Sequence, residues 1–179
     1  MIILGIDPGS YNLGYGVLEI EKRKIVAAGC DALNLKKSLT FQERLVLIHQ
    51  ELDKIIQKYK PDIAVVETIF YGKNIQSAFT LGHARGVILL TLAQNEIQTN
   101  EYSPREVKKA VVGNGNASKE QVKYMVQKIL NINLTASSQD ATDALAVALC
   151  EFNKNKFTNN GFCRCNFTNR IILCYSTRY

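Results

Sequence analysis

The run Ile63-Ala64-Val65-Val66 is wholly apolar and stops abruptly at Glu67. It shows no polar alternation, so both of its faces need cover, and it suits an interior strand of a sheet with helices on either side. The flanking segments agree. Residues 40–59 place Leu45, Ile48, Leu52, Ile55 and Ile56 on one helical stripe, which Pro61 closes. Residues 75–95 read as a second helix and 97–102 as a last strand. The chain therefore reads as mixed α/β, a central sheet covered by helices.

The segments on either side complete this outline. Ile2–Ile6 is a short apolar run ending at Asp7, followed by the turn chemistry of Asp7-Pro8-Gly9-Ser10. Residues 14–20 and 25–30 read as two more strands around the polar turn 21–24, so the first three strands are expected to form antiparallel hairpins. Pro104 sits where a helical turn begins, and that helix is expected to run to about Val112. A loop, Gly113-Asn114-Gly115-Asn116, leads to Ser118, which with Gln121 makes a capping pattern for a helix over 119–130. Ser137 or Ser138 is expected to cap a final helix ending near Phe152.

A chain of 179 residues is one domain with room for a tail, and 46% hydrophobic against 21% charged residues excludes a disordered polymer. No apolar stretch reaches the roughly 18 residues that span a bilayer. The first residues lack a basic leader, so a cytoplasmic location is expected. The formal charge of +6 is unevenly spread. From Asn153 onward there are five basic residues and no acid, whereas residues 1–152 hold 17 basic against 16 acidic side chains. Within the body, residues 68–130 carry eight Lys/Arg and four Asp/Glu, a patch able to face phosphates or simply to be a solvated helical surface. The cysteines (Cys30, Cys150, Cys163, Cys165 and Cys174) contain no Cys-x-x-Cys and match no zinc pattern, so reduced thiols are expected.

Four acids stand out by position. Asp7 and Glu67 end apolar strands, and Asp140 and Asp143 lie three apart on the final helix, hence on one face. Two strand ends and one helix can bring four carboxylates together. Bunched anions raise one another's pKa unless cations neutralise them. Oxygen ligands without Cys or His select Mg²⁺ or Mn²⁺. Two such ions, roughly 3.5–4 Å apart, activate water and stabilise a leaving oxygen in phosphodiester hydrolysis. Each acid also has an ordinary reading: Asp7 as a turn residue, Asp140 as the partner in a Ser137-x-x-Asp140 capping box, Asp143 on a solvated face, Glu67 as a strand end meeting water.

Five blocks in order then become specific. Ile3-Leu4-Gly5-Ile6-Asp7-Pro8-Gly9 with Gly14-Tyr15-Gly16-Val17 resembles the opening block of the RuvC family of Holliday-junction resolvases. Glu67-Thr68-Ile69-Phe70 with Lys73-Asn74 resembles the second block, and Leu81-Gly82-His83-Ala84-Arg85-Gly86-Val87 the helix after it. Val107-Lys108, Val111-Val112-Gly113 and Lys119 resemble the basic block. Asp140-Ala141-Thr142-Asp143-Ala144-Leu145-Ala146 resembles the closing acidic helix. The resemblance covers residues 1–152. It implies a ribonuclease-H-like fold with a mixed five-stranded sheet flanked by helices. It also implies a Mg²⁺-dependent homodimeric endonuclease that nicks two opposed strands of a four-way DNA junction, partnered by the RuvA–RuvB branch-migration complex. Carried over, Asp7, Glu67, Asp140 and Asp143 are metal-binding catalytic acids, Phe70 is the aromatic near the junction centre, and Lys108 and Lys119 lie near the scissile phosphate.

The chemistry is consistent with that carry-over. Phosphates supply most of the affinity for DNA, so Lys73, Arg105, Lys108, Lys109, Lys119 and Lys123 are candidates to position the backbone. Lys119 can also offset charge in the transition state, and Phe70 can stack on an unpaired base, although a core position is its ordinary reading. Ala78, Gly82 and Gly86 at four-residue spacing point to close helix approach, within the core or across a dimer axis. His49 is expected at a surface or boundary, and no role is assigned to His83. Gly113–Lys119 lacks the glycine before lysine that a P-loop needs. Two other readings compete: an actin-like or sugar-kinase-type nucleotide-binding ATPase, which also places Asp-x-Gly after a first strand, and a non-catalytic junction-binding scaffold. Residues 153–179 match no block of the family and are expected to form a loosely ordered, basic, Cys-containing tail.

Overall fold

The computed structural model describes residues 1–68 and 75–157. Five strands, β1 (Ile2–Asp7), β2 (Asn12–Glu21), β3 (Lys24–Asn34), β4 (Ile63–Glu67) and β5 (Gln98–Tyr102), form one sheet in the order β3-β2-β1-β4-β5. The first three pair antiparallel, while β4 and β5 run parallel to β1. The helices are α1 (Phe41–Tyr59), α2 (Ile75–Gln94), α3 (Pro104–Val112), α4 (Lys119–Leu130) and α5 (Gln139–Phe157). This is the mixed sheet flanked by helices that the sequence implies.

Strand alternation divides the core in two. Ile3, Leu18, Ile20, Ile63 and Val65 pack with α3, α4 and α5, whereas Leu4, Ile6, Leu13, Val17, Ala64 and Val66 pack with α1 and α2. Successive strand residues point to opposite faces, so the same parity sends Asp7 and Glu67 toward the α5 side. Under the N-terminal half of α5, glycines bring the sheet backbone close. A Cβ on Gly5 would lie 2.2 Å from the Ala144 carbonyl oxygen, and one on Gly14 would lie 2.0 Å from that of Asp140. At these positions α5 rests on bare backbone. It is apolar around its whole circumference from Ala144 to Cys150, as expected of a helix enclosed between a sheet and a second helical layer.

Local signals account for the helix starts. Thr40 with Glu43, Ser103 with Glu106 and Ser118 with Gln121 each form a reciprocal capping box, and Pro104 occupies the first turn of α3. At α5 the expected choice resolves to Ser138, whose Oγ accepts from the Ala141 amide at 3.2 Å. Asp140 is not the partner of a Ser137 cap and is left for other work.

Some boundaries move. Strands β2 and β3 extend past the apolar stretches because their polar ends also pair, Asn12 opposite Asn34 and Glu21 opposite Lys24. Helix α5 continues to Phe157, past the expected end at Phe152. Its added turn is anchored to α3 by Asn153 Nδ2, which donates to the Ala110 carbonyl at 3.0 Å, and by Lys154 on Glu106 at 3.1 Å. The tail beyond that helix lies outside the described residues, as do Cys163, Cys165 and Cys174. Among the described residues, Cys30 Sγ lies 3.9 Å from Ser137 Oγ, and the buried Cys150 Sγ lies 3.9 Å from the Glu106 carbonyl. His49 sits at the α1–α2 boundary, its Nδ1 2.9 Å from Thr91 Oγ1. Among the described residues no helix is long and apolar enough to cross a membrane.

Candidate active site

The ends of β1 and β4 and the first turns of α5 meet at one edge of the sheet. Parallel pairing of Ile6 with Val66 sets Asp7 beside Glu67. Antiparallel pairing sets Asp7 opposite Gly14, and the absent side chain of Gly14 lets the Asp140 backbone settle there. Asp143 follows one turn along α5. The four acids are therefore gathered, although they are separated by up to 136 positions along the chain.

Electrostatics show how tightly they are gathered. Burial pushes the Asp7 carboxyl up to about 8, and the charges of Glu67, Asp143 and Asp140 push the same way. Burial and the Asp143 charge also raise Glu67, against the opposing influence of an Asp7 hydrogen bond and the charges of Lys119 and Lys108. A side-chain hydrogen bond links the Asp7 and Glu67 carboxyls. Asp143 is spoken for in another way: Lys119 Nζ donates to its Oδ2 at 3.0 Å, and Gln139 Nε2 donates to its Oδ1 at 2.8 Å. The hydrogen bond to Asp143 is the main reason the Lys119 ammonium is held above its ordinary value. Asp140 lies in the first turn of α5, where the helix dipole favours a negative charge.

The donor set is all carboxylate oxygen, the chemistry that suits a hard divalent cation of the Mg²⁺ or Mn²⁺ type. Crowded anions with raised proton affinity are what such a cation would relieve. Among the described residues, no three His, Cys, Asp or Glu side chains are grouped tightly enough to hold an ion.

The basic residues take several positions. Lys119, the first residue of α4, reaches Asp143, and the charge of Lys108 on α3 is felt at Glu67. Lys123 lies one turn beyond Lys119, half-buried, whereas Arg105 and Lys109 are exposed on α3. The Arg105 stem lies over Gly115, where an added Cβ would be 2.6 Å from Arg105 Cγ. Phe70 and Lys73 lie outside the described residues. The sequence reading missed Gln139, which has no distinguishing pattern, and the glycines under α5. For these there was a signal: Gly5 on β1, and Gly14 and Gly16 two apart on β2, leave gaps on one face of adjacent strands.

The glycines of α2 also have an outcome. A Cβ on Gly82 or Gly86 would meet nothing within 4 Å, so these residues do not serve close approach inside the core. The buried stripe of α2 is Ala84, Ile88, Thr91 and Leu92.

Comparison with known proteins gives this arrangement its context. The family model for crossover junction endodeoxyribonuclease RuvC matches residues 3–151. A relative with that name from Ruminiclostridium cellulolyticum is 44% identical over 156 residues, 87% of this chain and 94% of the relative. One from Fusobacterium nucleatum is 38% identical over 173 residues, covering 97% of this chain and 90% of the relative, and so extends into the tail. The structure of Thermus thermophilus RuvC in complex with a Holliday junction substrate superimposes with a TM-score of 0.78 at 29% identity, covering 87% of this chain and 95% of that one. The yeast mitochondrial Holliday junction resolvase Ydc2, at 15% identity and a TM-score of 0.64 over 84% of this chain and 77% of that one, shares the fold. With its ribonuclease-H-like sheet and its acids gathered at the β1–β4 edge, the chain belongs to the crossover junction endodeoxyribonuclease RuvC family.

Proposed function

We propose that this protein is a structure-selective endonuclease that resolves four-way DNA junctions by paired nicks, with Asp7, Glu67, Asp140 and Asp143 as the ligands of Mg²⁺, two ions per site, for which Mn²⁺ can substitute. The observation that carries the reading is the convergence of four carboxylates, two of them with raised proton affinity, beside two lysines at one sheet edge. Bound there, the cations would supply an activated water and neutralise the leaving oxygen of the phosphodiester. The chain's own residues do the rest. The four acids would present their oxygens to the cations. Lys108 and Lys119 hold the scissile phosphate and offset charge as the phosphorane-like transition state forms. Arg105, Lys109 and Lys123 track the flanking backbone, together with Lys73, and Phe70, three residues after Glu67, stacks at the crossover.

The active unit in this reading is a homodimer built on α2. Opposite its buried stripe, Ile75, Phe79 and Leu90 are 71%, 63% and 56% exposed, with Gly82 and Gly86 between them, so a second copy of α2 can approach closely on an apolar face. Two sites related by that two-fold match an opened four-way junction. The enzyme acts in the cytoplasm with the RuvA–RuvB complex, and residues 1–152 form the nuclease domain, to which 153–179 add a basic tail.

The test is direct. Purified protein is incubated with a mobile four-way junction and with a matched linear duplex, each with Mg²⁺ and with chelator. Symmetric nicks on the junction alone, and only with metal, are expected. Binding without cleavage in Mg²⁺ would favour a scaffold instead, and calorimetric ATP binding would favour the nucleotide-binding reading.

A further inference from the structure

Both oxygens of Asp143 are occupied, and the two donors are of different kinds. Gln139 is a neutral amide four residues earlier on the same helix. Lys119 is a cation on a different helix, at the end of a flexible stem that is 63% exposed. A divalent ion arriving at Asp143 treats them differently. It repels an ammonium that competes for the same oxygen, whereas an amide on the other oxygen can stay, because a carboxylate has about four lone-pair sites. An amide that stays also fixes which oxygen is offered.

We propose that Gln139 is a positioning residue that holds Asp143 with Oδ2 outward, and that Lys119 is a resident counter-ion on that oxygen, which a divalent cation displaces as it binds. Cation entry and release of Lys119 toward the DNA backbone are then one exchange. This rests on the carboxylate cluster being a metal centre. Without the cation, Lys119 neutralises the exposed flank of the cluster. Reciprocity follows. Whatever draws Lys119 away from Asp143, such as a phosphate, raises cation affinity, and bound cation raises the availability of Lys119 to phosphate by the same factor.

The exchange predicts changes in metal affinity without any DNA or turnover. The full chain is titrated with Mn²⁺ by calorimetry and, in parallel, by the loss of free Mn²⁺ signal in electron paramagnetic resonance. Lys119→Met removes the competitor and is expected to tighten Mn²⁺ about twofold to fivefold, the size of one partly exposed ion pair. Gln139→Met keeps the length and helix propensity, removes the donor, and is expected to weaken Mn²⁺ about tenfold, in the range of a lost outer-shell hydrogen bond. The half-saturating Mg²⁺ for junction cleavage should rise in parallel, with junction affinity in chelator unchanged. Lys119→Gln provides a second surface variant whose folding is not in question. Unchanged or weaker Mn²⁺ binding in both Lys119 variants overturns the exchange, and wild-type affinity in Gln139→Met overturns the positioning role. If the wild-type chain takes up neither Mn²⁺ nor Mg²⁺, the metal-centre reading itself fails and this inference falls with it.

Discussion

Helix α5 carries carboxylates at both ends, and the ends are built on opposite principles. Near its C-terminal end, Glu151 is only 1% exposed yet well supplied: Tyr102 donates its hydroxyl at 2.6 Å, and Asn100 Nδ2 lies 3.1 and 3.2 Å from its two oxygens. Burial, and then that Tyr102 hydrogen bond, push the phenol above its ordinary range. At the N-terminal end, Asp140 and Asp143 meet Asp7 and Glu67, and the nearest compensation is one lysine and one amide, both on Asp143. A structural carboxylate is surrounded by donors, because an unsatisfied buried charge is costly. A carboxylate kept among other carboxylates is destabilising unless something cationic arrives. The contrast separates fold from function on a single helix.

The sharpest way to break this contrast is to remove one charge at each end. Asp7→Asn should lower junction cleavage by about 10²–10³-fold or more while leaving thermal stability in chelator equal or higher, because it removes the cost of burying an ionisable carboxyl among other acids. A variant that cleaves within tenfold of wild type would remove Asp7 from the site. Glu151→Ala should do the reverse. It strands Tyr102 and Asn100, costs about 2–3 kcal/mol in a urea titration, and leaves the cleavage rate of folded protein at 25 °C within about twofold of wild type.

The pH dependence of stability sharpens the same contrast. Asp7 titrates near 8 in the folded chain and near 3.8 when unfolded, so between those values the native state binds the extra proton. Stability of the metal-free protein should therefore be greatest below about pH 4 as far as this group is concerned, and its contribution should be lost as pH rises to about 8. Melting temperatures in chelator from pH 5 to pH 9 should fall in wild type and fall distinctly less in Asp7→Asn; parallel slopes would deny the raised proton affinity of Asp7. The smallest effect is expected from Ser118→Ala. Loss of the α4 cap should cost about 1 kcal/mol. Because Lys119 is the next residue, cleavage should drop a few-fold more than junction affinity does.

How much of this was legible depended on the range of the interaction. The capping pattern at Ser118, Pro104 at the start of α3, the stop at Pro61 and the apolar run before Glu67 are signals spread over a few residues, and they are where the fold and its expectation coincide. The acids were singled out because charge at the end of an apolar strand is unusual. Strand parity joins Asp7 and Glu67 on one face only once the Ile6–Val66 register is known, because neither apolar run alternates. The glycines of β1 and β2 depend on the fold in the same way, because a missing side chain has meaning only once a helix is known to lie over it.

The linear chain thus determined the elements, their order and the residue types able to bind a hard cation, since backbone propensity and hydrophobic period act over one or two turns. Only the folded arrangement decided which charges meet. Lys119 reaches Asp143 across 24 positions, Tyr102 reaches Glu151 across 49, and the glycine face of α2 turns outward rather than into the core. Coulomb and hydrogen-bond energies depend on distances of a few ångströms between side chains. Those distances are set by how the layers stack, on which separation along the chain has no bearing.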